Sequence, residues 1–322
     1  METAELRPLS LGELLDRTFT LYCSHFWVFV GIMAIPASFG IPVNYLVLAF
    51  QGSTLFSRQP STTPSPGMVL GILFGVFAYL GVFLLVHSIA VAAVTHAVSE
   101  AYLGRRSTVR DSYRSIRGKF WRLIGVVLNI ILRLIGIMLI VVVAIAAVGG
   151  TLIALSAIPG GQAAAAITAG LLVILVYMFG VAAGVYLALR YAVSIPALML
   201  ENLRVLAAVR RSVQLTRGRR GHIFIALLLA VIIGWVGYIV FQAPFSIATM
   251  ITLLRNHQLP TWLALMTSVS GAVGGAISGP ISMIVLVLCY YDTRIRKEAF
   301  DLQFMMASLD RPSPAAGTVP LA

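Results

Sequence analysis

Six long runs of this chain carry almost no charge: residues 27–50, 68–98, 120–158, 163–197, 223–254 and 262–291. About 20 mostly apolar residues suffice for a helix to cross the hydrocarbon core of a bilayer, and each run is long enough. Backbone in lipid must satisfy its own hydrogen bonds, which unbroken apolar runs of this length do as helices. Composition agrees: 59% of the 322 residues are hydrophobic and 11% are charged, against roughly 25% charged in soluble domains. The expected fold class is therefore all-α, a polytopic membrane helix bundle of about six transmembrane helices. The third run could hold two spans, but no polar turn divides it before Gly149-Gly150. It reads as one helix whose first turns lie in the interface.

The charges orient the bundle. Residues 99–122 hold Arg105, Arg106, Arg110, Arg114, Arg117, Lys119 and Arg122 against Glu100 and Asp111. Residues 190–222 hold Arg190, Arg204, Arg210, Arg211, Arg217, Arg219 and Arg220 against Glu201. The alternate loops hold only Arg58 and Arg255. Short loops rich in Lys and Arg stay on the cytoplasmic side, so both basic loops and, with six spans, both termini are expected there, in an inner (plasma) membrane. The formal charge of +12 is thereby explained by topology and by attraction to anionic lipid, and no nucleic acid is expected as a partner. Glu2, Glu5, Glu13 and Asp16 stand where a signal peptide would be basic and then apolar, so none is expected.

Three segments repeat a theme: "LYCSHFWVFVG" (21–31), "SIRGKFWRLIG" (115–125) and "LTRGRRGHIFI" (215–225). Each runs from a polar approach into the start of a span. The approaches are amphipathic. Leu11, Leu14, Leu15, Thr18 and Tyr22 fall at helical spacing in the first, and Ser10 with Glu13 makes a capping box. Val109, Tyr113, Ile116 and Phe120 form the second stripe, opened by Thr108 and Asp111; Leu206, Val209 and Val213 form the third. Helices of this kind lie in the membrane interface. The expected organisation is a single membrane domain, 1–305, of three pseudo-repeats (about 10–100, 107–201 and 202–300), each an interfacial helix followed by a helical hairpin. Residues 306–322 read as a disordered cytoplasmic tail.

Residues for chemistry are scarce. Arg117-Gly118-Lys119 lacks the flanks of a phosphate loop. His87 and His96 fall on opposite faces of one helix, and Cys23 and Cys289 have no zinc-site spacing. No carboxylate lies well inside a span, so no enzymatic activity and no cofactor are expected. Arg133 is the exception, eleven residues past Arg122 and about 16 Å along a helix, where an arginine costs about 3 kcal/mol at mid-bilayer. Asn129 shares its face. The pair is a candidate contact for an anionic ligand or lipid; the alternative is an arginine that snorkels or is paired internally. Small residues recur at Gly67, Gly71 and Gly75, at Gly180 and Gly184, and at Gly271, Gly275 and Gly279, for close helix packing or a dimer seam. Pro36, Pro42, Pro244 and Pro280 should bend or break their helices.

The last apolar run ends in "YYDTRIRKEAFDL" (290–302), where Asp292, Glu298 and Asp301 join Arg294, Arg296 and Lys297. A stop signal needs only the cations. Asp292, Arg294, Arg296, Glu298 and Asp301 therefore form a candidate cytoplasmic charge network, with Asp292 and Asp301 expected to meet arginines of the basic loops.

That closing motif, "LRPLSLGELLDRTFTLYCSHF" (6–26) and "MLENLRVLAAVRRSVQLTRGRRGHIF" (199–224) resemble signatures of a bacterial integral membrane family, the membrane domain of glycerophosphoryl diester phosphodiesterase. The resemblance implies a domain fused in some relatives to a soluble catalytic domain. The His-Arg-Gly start and carboxylate set of that catalytic domain do not occur in this sequence. Ala299 stands where the closing motif leads one to expect glycine. The expected function is a non-catalytic accessory or scaffold in lipid or envelope metabolism. The alternatives are a transporter or lipid-handling protein using Arg133, and a membrane component of a phosphodiesterase system. The expected partners are anionic membrane lipids, with room for a protein partner in a membrane complex and the oligomeric state open.

Overall fold

The chain enters its first helix through a cap. Ser10 Oγ accepts the Glu13 amide at 3.3 Å, and the Glu13 carboxylate accepts the Ser10 amide at 2.8 Å, which completes the capping box at the start of α1 (Leu11–Ser24). Leu14, Thr18 and Tyr22, one turn apart, are its buried face. At His25 the chain turns by 89° into α2 (Phe26–Thr54), so the amphipathic helix runs across the direction of the long one. The computed structural model describes residues 9–54, 66–102, 105, 107–156, 162–256 and 259–298. Ala299, Asp301, Arg58, Arg106, His257 and the tail 306–322 lie outside them.

The same order, one short helix and then two long ones, occurs three times. α1 precedes α2 and α3 (Pro66–Tyr102). α4 (Val109–Arg114) precedes α5 (Phe120–Ser156) and α6 (Gln162–Tyr191). After the inserted α7 (Ser194–Glu201), α8 (Val205–Thr216) precedes α9 (Arg220–Asn256) and α10 (Thr261–Glu298). Among the described residues five helices are long and apolar enough to cross a membrane, and a sixth if the bent pair α1–α2 counts as one span. No strand occurs among the described residues.

Two boundaries depart from the sequence reading. The fourth apolar run, expected to continue to residue 197, stops at Tyr191 and restarts as α7. Pro196 explains the break: it has no N–H for the Ala192 carbonyl and its ring crowds that turn. The second approach is not one helix either. α4 ends at Arg114, and a 3-10 turn over Arg117–Lys119 joins it to α5. Ile116 is nonetheless buried, with Val109, Tyr113 and Phe120 packed on the same core. Thr108 caps α4, but its hydroxyl donates to Asp111 Oδ2 at 2.6 Å while accepting the Asp111 amide, so the acid meets the cap's side chain.

Each short helix packs against another unit. α4 packs on α2 and α3, α8 on α5, α6 and α7 as well as on α10 of its own unit, and α1 on α9 and α10 and more lightly on α2. The three units thus close a ring. α10 is its centre, lying along both α9 and α2, with 61% of its apolar window buried against none for α5 or α6. The outer helices show Leu139, Ile140, Leu175 and Phe179 on their exposed faces, as helices facing lipid do.

Pro36, Pro42, Pro244 and Pro280 sit inside continuous helices. At Pro36 the repair is visible. The Ile32 carbonyl, four residues back, lacks its usual donor, and Tyr113 Oη of α4 donates to it at 2.7 Å. Tyr22 of α1 likewise donates to the Ile277 carbonyl, three residues before Pro280, at 2.6 Å.

Candidate functional site

Consecutive residues on a helix point about 100° apart, so three in a row can face three neighbours. Tyr290, Tyr291 and Asp292 do so at the end of α10. Tyr290 Oη donates to Glu201 Oε1 at 2.7 Å, at the close of the second unit. Tyr291 is hydrogen-bonded to Ser99, at the close of the first. Asp292 turns to the third unit and to the chain's beginning, accepting from Arg219 at 3.3 Å and from the Leu9 amide at 2.9 Å.

Asp292 is 1% exposed and so needs partners to stay charged. Arg296, one turn on, donates to Oδ1 at 2.9 Å and sends its other arm to the Leu9 carbonyl at 2.7 Å. Leu9, which precedes the α1 cap residue, is thereby held through both its N–H and its C=O. His222 Nε2 stands 4.0 Å from Oδ2, outside hydrogen-bond range.

A second knot centres on Arg211 of α8. Its Nε donates to both oxygens of Glu201, at 3.1 and 2.9 Å, and its Nη2 to Glu298 at 2.7 Å. The hydrogen bond to Glu298 raises the guanidinium above its ordinary pKa range; burial opposes this, and Glu201 adds to it. Arg294 joins Glu298 at 3.3 Å across one turn and lies 3.9 Å from Glu201. Two lysines cap helix ends, where free carbonyls attract cations: Lys297 reaches the Gln214 and Arg217 carbonyls at 2.6 and 2.7 Å, and Lys119 reaches Met199 at 2.6 Å. Asn202, left-handed at φ 52°, ends α7 and meets Arg122 at 3.2 Å.

Of the sequence candidates, Asp292, Arg294, Arg296 and Glu298 lie in this network, and Asp301 is outside the described residues. The sequence reading did not place Leu9, Arg211, Arg219 or Tyr290 there. Glu201 had a signal, as the lone acid of a basic loop. The buried carboxylates all face arginines, and the arrangement ties helices together. Among the described residues no three His, Cys, Asp or Glu could hold a metal ion.

Arg133 and Asn129 belong to another place, between α5 and α6. The Arg133 guanidinium lies over the Tyr191 ring, 4.6 Å from its centre, and Arg190 approaches the same ring at 5.7 Å. Contacts of this kind are attractive, about 0.5–1 kcal/mol where exposed. Among the described residues neither arginine has a carboxylate partner. Asn129 Oδ1 and Arg190 Nε are buried without hydrogen bonds. The arrangement brings two cations, one of them with an unsatisfied Nε, to one aromatic ring, and α6 ends there, so Arg133 reaches the basic end of the bundle.

The stretch from α6 to the end of α10 contains both knots except for Leu9, and it is the part of the chain that comparison reaches. Residues 163–303 match the membrane domain of glycerophosphoryl diester phosphodiesterase. No curated protein and no solved structure matches the chain. The matched segment, less than half of the chain, includes Glu201, Arg211, Arg219, Asp292 and Glu298. The Arg133–Tyr191 contact straddles its edge.

Proposed function

We propose that the protein is a non-catalytic membrane scaffold or accessory protein, tied to lipid or envelope metabolism, in the inner membrane with its basic end in the cytoplasm. One observation carries this reading: Glu201, Asp292 and Glu298, the acids gathered where the units meet, are each engaged by arginines of the same chain. A general acid or base needs an open side facing a substrate, and these face the frame of the bundle. The orientation rests on the placement of fourteen basic residues in two loops.

The test is to purify the full chain in lipid nanodiscs and assay it against glycerophosphodiesters, alongside pull-down from native membranes with mass spectrometry. The expected result is no turnover and a reproducible protein partner. Turnover abolished by Glu201→Gln or Asp292→Asn would overturn the reading.

A second reading, a transporter or lipid-handling protein, is favoured by the two arginines at Tyr191. Arg133 is the residue on which it depends.

A further inference from the structure

We propose that the groove beside α4 binds the phosphate of an anionic glycerophospholipid from the surrounding leaflet. Arg110, Arg114 and Arg117 all line one groove of about 560 Å³, whose remaining walls are Ile35 of α2, Val109 and Tyr113. A second recess of about 370 Å³ shares Tyr113 and Arg117 with it and is otherwise lined by Ile89, Ile116, Phe120 and Trp121. Three guanidiniums thus line the first recess, and one of them, Arg117, with Tyr113 also lines the second. That is the pattern of an amphiphile: charge for a phosphate, hydrocarbon for the chains beneath it.

These arginines differ from their neighbours. Arg211, Arg219, Arg294 and Arg296 each meet a carboxylate within 3.3 Å. Arg110, Arg114 and Arg117 form no ion pair among the described residues. The nearest acid in sequence, Asp111, is turned to Thr108 at the cap. Arg110 and Arg114 lie one turn apart on α4, Arg117 in the following 3-10 turn lines the same groove, and guanidiniums suit phosphate oxygens. Tyr113 is fixed as a wall by its bond to the Ile32 carbonyl.

Depth is set independently. Trp121, at the rim of the second recess, is 80% exposed, and Trp27, near the start of α2, is 81% exposed. Indole rings prefer the headgroup level of a bilayer, which puts the arginines where lipid phosphates lie. A lipid of the same leaflet is therefore the occupant, and free phosphate is the competing source of the same chemistry.

Native mass spectrometry of the detergent-purified full chain tests this with phosphatidylglycerol, phosphatidylcholine and inorganic phosphate as probes. Phosphatidylglycerol is expected to bind about tenfold or more tightly than phosphatidylcholine, given roughly fivefold per basic residue at a charged surface. The variant Arg110→Gln/Arg114→Gln/Arg117→Gln should lose that preference. A charge-matched control, Arg204→Gln/Arg210→Gln/Arg255→Gln, should keep it. Ile35→Trp, which fills the apolar side and leaves every charge in place, should weaken phosphatidylglycerol binding and guards against a triple variant that fails to fold. An undiminished preference in the triple variant would overturn the proposal. So would displacement of the lipid by millimolar phosphate, which would make the groove a free-phosphate site.

Discussion

Val109 occupies the space that a side chain on Gly31 would need: its Cγ2 lies 2.8 Å from the point where a Cβ would stand. Val205 stands in the same relation to Gly125, at 2.7 Å. Gly31 and Gly125 close the first two of the three similar sequence segments, and Val109 and Val205 are the first residues of the next short helices. The third segment closes on Ile225, which is exposed. Small residues that admit a neighbour's branched side chain are thus the joints between units.

The first prediction follows from that joint. Gly31→Val should destabilise the purified protein by about 1–3 kcal/mol, the usual range for overpacking. Adding Val109→Ala should recover most of the loss. A thermal midpoint unchanged in the single variant would mean that α4 is loosely seated.

Asp292→Asn leaves two arginines and a backbone amide facing a neutral group. Breaking a buried pair costs about 3–5 kcal/mol. Arg219 and Arg296 keep 28% and 30% of their side chains exposed, so the loss should fall toward the lower end. In a double-mutant cycle with Arg219→Gln the two changes should be non-additive. Strict additivity would show that the 3.3 Å contact carries little energy.

Tyr113→Phe should cost about 1–3 kcal/mol, because it leaves the Ile32 carbonyl unbonded. Pro36→Ala would give that carbonyl an N–H again. The double variant should therefore be more stable than the sum of the single changes implies. A purely additive result would mean that lipid or water already serves the carbonyl.

Arg133→Leu separates the two functional readings. On the scaffold reading the variant folds, loses no more than about 1 kcal/mol of ring contact, and keeps its bound lipid and its activity in cells. Loss of co-purified anionic lipid with folding intact would favour the lipid-handling reading instead. Circular dichroism melting and lipid mass spectrometry of the same sample check both outcomes.

What the sequence made legible was local. Ser10 and Glu13 are three residues apart, and their reciprocal bonds can be read from a capping pattern. The apolar runs and amphipathic stripes follow from periodicity. The break at Pro196 was also readable, since proline denies the Ala192 carbonyl its donor, but the unbroken hydropathy of residues 163–197 concealed it. The charge network was legible only by composition: acids among the cations at the end of α10, where a stop signal needs none, showed that partners were needed. Which partners depended on packing. Leu9 and Asp292 are 283 positions apart, and Glu201 and Tyr290 are 89 apart, so no spacing rule connects them. Arg133 was conspicuous for its depth, but its ring partner lies on the neighbouring helix.

The clasp between Leu9 and Asp292 bears on how the protein is made. Leu9 leaves the ribosome 283 residues ahead of Asp292. α1 is therefore synthesised long before α9 and α10, the helices on which it rests, and must wait at the membrane surface while the other units insert. The ring can shut only once α10 has been made. A nascent chain stopped short of α10 should hold α1 unprotected from protease, even with every residue of α1 present. Protection of α1 is then a timestamp for the end of assembly.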